Sequence, residues 1–175
     1  KEGRKPVRLN RNFGDLTEED EKKNRYWQYA RVVEYLNEMP IAQIYIDFVE
    51  ADDAISVLCR ELPNVKKTII SNDKDFIQLL DANTFLYRPC KEETYDVEKV
   101  INEFNIHPTN FALARAFVGD ASDNLPGAKG VGLKTMAKRF PELKEEKTIL
   151  LTEIIDLCKN EAKPLAFHNS ILESE

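Results

Sequence analysis

Three short acidic motifs stand out in the chain: Glu50, Asp52 and Asp53 in VEADD, Asp73 and Asp75 in SNDKDF, and Asp120 and Asp123 in GDASDN. Seven carboxylates brought to one place would repel one another, and cations are the natural remedy. Magnesium suits such a set because it prefers oxygen ligands and keeps several of its waters. Two such ions about 4 Å apart can activate a water and stabilise a leaving oxygen in phosphodiester cleavage. The competing reading is that acids near helix starts are caps and surface acids aid solubility. Three motifs, two of them placed directly after expected strands, favour a site over three unrelated caps.

A second constellation follows the last acidic motif. LPGAKGVGLKTMAKRF (125–140) carries a Pro126-Gly127 turn and then Gly130-Val131-Gly132. Glycine permits close backbone approach, and backbone amides at a helix start can hold a phosphate. Lys129, Lys134 and Thr135 add charge and a hydroxyl in the same stretch. Such contacts grip a nucleic-acid backbone without reading sequence. A lone GxG would be weak evidence, and the nucleotide-binding pattern GxxxxGK[ST] is absent.

The elements that must position these groups can be read from periodicity. Residues 1–16 are basic and polar, with Gly3, Pro6 and Gly14, and read as a loop. Thr17 and Asp20 form a capping-box-like start to a helix over 18–38, with one apolar and one charged side, ended near Pro40. IAQIYIDF (41–48) has strand composition, which would place Asp47 inside the strand and Glu50, Asp52 and Asp53 just beyond its carboxyl end. Glu50 and Asp53, three apart, would share a helical face. A helix over 54–62, a strand over 66–73, a short helix over 75–81 and a strand over 84–89 follow. Asp73 and Asp75 then lie at the same sheet edge, on one side of an extended segment. Asp96 caps a helix running to Phe104, and Pro108 opens another to about Phe117. Five glycines or prolines punctuate 119–132 before helix resumes at Leu133. The alternation predicts an α/β fold with a mostly parallel central sheet flanked by helices.

Composition is that of a folded chain: 175 residues, 42% hydrophobic and 32% charged. No apolar run approaches the roughly 20 residues of a membrane span. Cys59, Cys90 and Cys158 are odd in number and far apart, and His107 and His168 join no cluster. Disulfides and zinc therefore have little support, and a reducing cytoplasm is expected. The net charge of −6 argues against nucleic acid only as a sum. Lys1, Arg4, Lys5, Arg8 and Arg11 crowd the first eleven residues, while Lys129, Lys134, Lys138 and Arg139 fall in 126–140 with no acid. The opening KEGRKPVRLNRNF reads as the interior of a longer protein.

VEADDAI, TIISNDKDFIQLL and FVGDASDNLPGAKGVGLKTMAKRF, in this order, resemble the 5'-3' exonuclease and flap endonuclease family, in particular the 5' nuclease domain of bacterial DNA polymerase I and stand-alone phage 5' exonucleases. The resemblance covers roughly residues 1–140. It implies a PIN-like 5' nuclease fold with a helical arch and a helix–three-turn–helix that grips duplex DNA. It also implies two divalent-metal sites filled by Mg2+, with Mn2+ as a substitute. Glu50, Asp52 and Asp53 would serve the first, and Asp73, Asp75, Asp120 and Asp123 the second. Gly130, Val131 and Gly132 match the helix–three-turn–helix, where backbone carbonyls hold K+ in the family, and Lys134 matches a phosphate-contacting lysine. Lys1 resembles the arch lysine near the scissile phosphate. Arg4 and Arg8 are further phosphate contacts in this reading.

On this reading residues 1–38 form the arch segment and its returning helix, 41–118 the nuclease core, 119–140 the metal-ligand loop with the helix–three-turn–helix, and 141–175 a helical end. The family carries two further aspartates on strands that precede the arch. They have no counterpart here, so the core is expected to be incomplete at its amino-terminal side. The expected substrate is DNA with a 5' single-stranded end, flap or nick, or an RNA–DNA hybrid. The expected setting is replication or repair in a bacterial cell or phage-infected host, by a monomer without membrane contact and with replication proteins as partners. Two other classes compete: a DNA-binding module with a degenerate metal site, and a small-substrate phosphohydrolase, which would have no use for a duplex grip.

Overall fold

The computed structural model describes residues 17–121, 124–160 and 166–172. Among them, residues up to Glu50 form one compact unit and those from Ala51 onward another.

The first unit is built on helix α1 (Glu18–Asn37). Its start is the capping box read from the sequence: Thr17 Oγ1 accepts from the Asp20 amide, and the Asp20 carboxylate accepts from the Thr17 amide. Four acids in the first turn complement the positive end of the helix dipole. Lys23–Glu19 and Arg31–Glu34 ion pairs and the Arg31 guanidinium over Trp27 line its surface. No residue of α1 is buried, so the apolar side expected from its pattern covers no core of its own. The Gln43 side chain ties the following segment back to the helix through Val33 O and Asn37 Oδ1.

The expected strand over 41–48 does not form. A strand exists by its ladder, and none of the described strands runs beside this segment. Ile44, Tyr45, Ile46 and Phe48 are exposed, and Asp47 and Phe48 lie in a turn where Phe48 takes φ 63°. β-branched composition made the segment strand-like, but composition cannot supply a neighbour.

The second unit holds the core. Helix α2 (Ala51–Glu61) precedes strand β1 (Lys67–Ile70), which pairs in parallel with β2 (Thr84–Arg88). The crossover carries a 3-10 helix, Asp75–Leu79, whose Phe76 and Ile77 are buried. β2 also pairs antiparallel with β3 (Glu93–Tyr95), so this sheet is mixed, in the order β1-β2-β3, rather than mostly parallel. The tight turn after Arg88 explains the reversal: a few residues can return only an antiparallel strand. Along β2, Thr84, Leu86 and Arg88 face inward. The Arg88 guanidinium lies over Tyr95 and donates to Asn72 O at 3.0 Å, while its Nε and Nη1 are buried without partners.

Helix α3 (Val97–Phe104) is capped by Asp96, whose carboxylate accepts from Lys99 N at 2.7 Å, and ends at left-handed Asn105. Helix α4 (Pro108–Val118) starts with proline in its first turn and takes His107 as its cap. That accounts for His107 without a ligand role. Phe104 and Phe111 meet edge to face at 5.3 Å. A two-residue pairing of β4 (Gly119–Asp120) with β5 (Leu125–Pro126) follows, then helix α5 (Leu133–Arg139), a 3-10 turn over Pro141–Lys144, α6 (Leu151–Lys159) and α7 (Ala166–Leu172). The cysteines are free, and no described helix is long and apolar enough to cross a membrane.

Asn110 holds the carboxy-terminal part to this core. Fully buried on α4, it shares its side-chain N–H groups among the carbonyls of Leu143, Glu145 and Lys147, and its Oδ1 accepts from Ile149 N at 2.9 Å. Substituting Asn110→Leu keeps the branched shape and removes all four of these bonds, leaving Leu143 O only its bond from His107 N. It should cost about 2–4 kcal/mol, read as a lower urea midpoint with an unchanged slope.

Candidate metal centre

Asp73 and Asp75 are placed by the turn that ends β1. Ser71 Oγ accepts from Asp73 N at 3.1 Å, and Asp73 Oδ1 accepts from Asp75 N at 2.9 Å. These are the local side-chain turns that serine and aspartate favour. Asn72 fixes the outside of the same turn, accepting from Cys90 N through its side chain and from Arg88 through its carbonyl. The buried strand arginine thus steadies an acid-bearing loop.

Asp52 and Asp53 occupy the first turn of α2, where the helix dipole favours negative charge. Asp52 Oδ1 accepts from Asp53 N at 3.0 Å, and Ser56 Oγ donates to Asp52 O at 2.8 Å. These two acids therefore follow no strand. They open a helix, and Glu50 lies before its first residue, so the shared helical face expected for Glu50 and Asp53 is not formed. Glu50 belongs to the preceding unit. Asp52, Asp53, Asp73 and Asp75 nevertheless line one cavity of about 290 Å³, with Ser56, Phe76, Gln78 and Leu79.

Asp120 reaches the group through a residue that sequence reasoning missed. Arg115, on α4, pairs with the Asp120 carboxylate, stands 3.4 Å from Asp75 Oδ1 and donates to Gly119 O at 3.5 Å. Its side chain is only 26% exposed. A lone arginine in the otherwise uncharged helix PTNFALARAFV, five residues before Asp120, was the available signal. Asp120 itself is set by glycine. Gly119 takes φ 76°, and a Cβ on Gly127 would lie 2.1 Å from Val118 O, so only glycine allows this close approach.

Asp123, Lys1, Arg4 and Arg8 lie outside the described residues. In the glycine loop, Gly130 takes φ 75° and Gly132 caps α5, which starts at Leu133 as expected. Lys129 and Lys134 are exposed, whereas Val131 is buried in the core and could meet a ligand only through its backbone. Thr135 N is already bonded to Gly132 O at 2.8 Å.

Among the described residues no three His, Cys, Asp or Glu side chains converge tightly enough to form a closed metal cage. Hard oxygen donors around a polar cavity still suit magnesium, which binds through one or two carboxylates and otherwise keeps its waters. The crowding has an electrostatic signature. Burial pushes the Asp75 carboxyl above its ordinary 3.8, Asp73 and Asp120 push the same way, and Arg115 only partly opposes them. Because the folded state then holds a proton more tightly than the unfolded chain, Asp75 lowers stability as pH rises from 3.8 through its raised value. In EDTA, Asp75→Asn should melt slightly above the parent at pH 7, and the gain should fade as pH drops towards 3.8. Parallel melting curves across that window check the sign.

Residues 19–105 match the family model of the 5'-3' exonuclease N-terminal resolvase-like domain. The chain is 34% identical over 155 residues to a 5'-3' exonuclease of Halalkalibacterium halodurans, covering 85% of this chain and 49% of that one. It is 32% identical over 146 residues to a 5'-3' exonuclease of Buchnera aphidicola, covering 77% and 51%. It is also 31% identical over 138 residues to DNA polymerase I of Rhizobium leguminosarum, covering 77% of this chain and 14% of the polymerase. The chain thus spans about half the length of the curated exonucleases it matches. T5 5'-exonuclease solved with zinc ions shares the fold at TM-score 0.71 and 21% identity, over 91% of this chain and 59% of its own. So does the bacteriophage T5 flap endonuclease solved with DNA and metal ions, at TM-score 0.67 and 19% identity, over 91% and 61%. An α/β chain with this domain match, these relatives and this fold belongs to the 5'-3' exonuclease family.

Proposed function

We propose that the chain is part of a structure-specific 5' nuclease that hydrolyses phosphodiester bonds in DNA bearing a 5' single-stranded end, flap or nick. The same reading extends to RNA primers in RNA–DNA hybrids. The observation that carries it is the single cavity lined by Asp52, Asp53, Asp73 and Asp75, with Asp120 joined to Asp75 through Arg115. Membership of the exonuclease family supports it.

In this reading those aspartates, with Glu50 and Asp123, hold two magnesium ions, and manganese substitutes for them. When bound, the ions supply activation of a water towards phosphorus and stabilisation of the departing 3' oxygen. The side chains set where this happens. Carboxylates on the β1 turn and the first turn of α2 face a common space, so a phosphate positioned there meets ligands from two separate elements. The attacking oxygen bonds to phosphorus, the P–O3' bond breaks, and the products carry a 5' phosphate and a 3' hydroxyl.

The duplex rests on the glycine loop, where Lys129 and Lys134 meet phosphates, backbone groups of Gly130, Val131 and Gly132 approach the strand or a potassium ion, and Thr135 adds a hydroxyl. Lys1, Arg4 and Arg8 guide the 5' strand, with Lys1 and Arg4 neutralising charge on the scissile phosphate. The setting we infer is cytoplasmic replication or repair in a bacterium or phage-infected cell, by a monomer working beside replication proteins.

A labelled 5'-flap duplex tests the reading directly. Cleavage near the junction is expected with Mg2+ and not with EDTA. Asp75→Asn and Asp120→Asn should lower the rate at least about a hundredfold while leaving flap affinity within a few-fold. Binding without cleavage under any divalent ion would instead favour the non-catalytic DNA-binding module. Separately, Lys134→Ala should weaken duplex binding about equally across sequences and reduce the slope of log affinity against log salt by about one. An unchanged slope would remove Lys134 from the interface.

A further inference from the structure

Arg115 bonds two of the acids of this site, and the mechanism just proposed gives it no chemical role. It sits on α4 among the buried Phe111, Ala114 and Phe117, mostly withdrawn from water. An arginine in such a place is costly unless its charge is met. Here one Nη2 faces Asp75 on the β1 turn and Asp120 on β4, and Nη1 leans on Gly119 O. Two carboxylates that would otherwise repel are drawn onto a single guanidinium.

We propose that Arg115 is a built-in counter-ion: it holds Asp75 and Asp120 in the metal-free chain and competes with a divalent cation for the same oxygens. This rests on the reading of the carboxylates as a metal centre. Three observations combine. The guanidinium meets two of the acids assigned to metal, from two different elements. A third carboxylate stands beside the pair, since Asp73 Oδ1 accepts from Asp75 N at 2.9 Å on the same turn, and one guanidinium does not match three acids. The side chain is also tethered near the helix end by Gly119 O, so it stays close when its carboxylates turn to another cation. A cation entering the site must therefore draw the oxygens from Arg115 and sit near its charge. Metal affinity is set lower than the acids alone would give, and the empty site does not fly apart.

The decisive measurement is Mn2+ affinity, read from the electron paramagnetic resonance signal of free Mn2+, for the parent chain, Arg115→Gln and Arg115→Lys. Arg115→Gln should bind Mn2+ about tenfold more tightly, while melting lower than the parent in EDTA. Arg115→Lys keeps the charge and should stay within about threefold of the parent. A second readout needs no charge-removing variant. In the parent titrated with Mg2+, the Arg115 Nε–H resonance, identified by its loss in Arg115→Lys, should move in step with site filling. Affinity for Mn2+ unchanged or weakened in Arg115→Gln, or an Arg115 resonance that stays still while the site fills, overturns the proposal. A parent chain that takes up no Mn2+ at all overturns the metal-centre reading itself, a result recognisable before any variant is made.

Discussion

Like charges gathered around one cavity are the constraint to which the second unit answers. Asp52, Asp53, Asp73 and Asp75 share a space of about 290 Å³, and Asp120 stands close enough to raise the Asp75 pKa further. Desolvation makes the charge on Asp75 more expensive, and the neighbouring acids compound it. Local devices offset part of this. Backbone amides of Asp53 and Asp75 are met by neighbouring aspartate oxygens, the first turn of α2 presents its positive dipole end to two acids, and Arg115 supplies a full charge to two others.

Much of the surrounding architecture can be understood as support for that arrangement. The β1 turn is clamped from outside by Asn72 and the buried Arg88, so the spacing of Asp73 and Asp75 is held by the sheet rather than by the loop alone. Gly119 and Gly127 let two backbones approach to a distance no side chain tolerates, which holds the short β4–β5 pairing and with it Asp120. Asn110 ties α4, the helix that carries Arg115, to the segment over 143–149. A carboxylate set that resists being assembled is thus carried by elements whose own contacts are dense and specific. This is the usual relation between a strained site and a well-packed scaffold.

The glycine loop obeys a different logic. Its exposed lysines lie far in sequence from most of the acids, and its one large apolar residue, Val131, is spent on the core. What remains outward is backbone and ammonium, which suits the proposed contact with a phosphate chain without preference for its bases. The division between an acidic cavity and a basic loop reconciles a net charge of −6 with the polyanionic substrate proposed above.

Short-range rules determined a good deal by themselves. The Thr17–Asp20 capping box, Asp96 as the cap of α3, Pro108 at the start of α4, Gly132 before α5 and the small helix at 75–79 depend on neighbours within a few residues, so composition and spacing sufficed. The strands at 67–70 and 84–88 were legible from composition because each also finds the other as its partner. The acidic motifs were legible for the same short-range reason, and Asp52, Asp53, Asp73 and Asp75, four of the seven acids expected to gather, line one cavity. What depends on a partner remote in the chain was not. The segment over 41–48 has strand composition and no strand beside it. β3 returns antiparallel because of a tight turn whose direction no propensity encodes. Arg115 became a member of the site only when α4 packed beside the β1 turn, forty residues away in sequence. Propensity is a property of a residue and its neighbours, whereas a ladder, a cavity and an ion pair are properties of two distant segments meeting, and only the tertiary structure decides which segments meet.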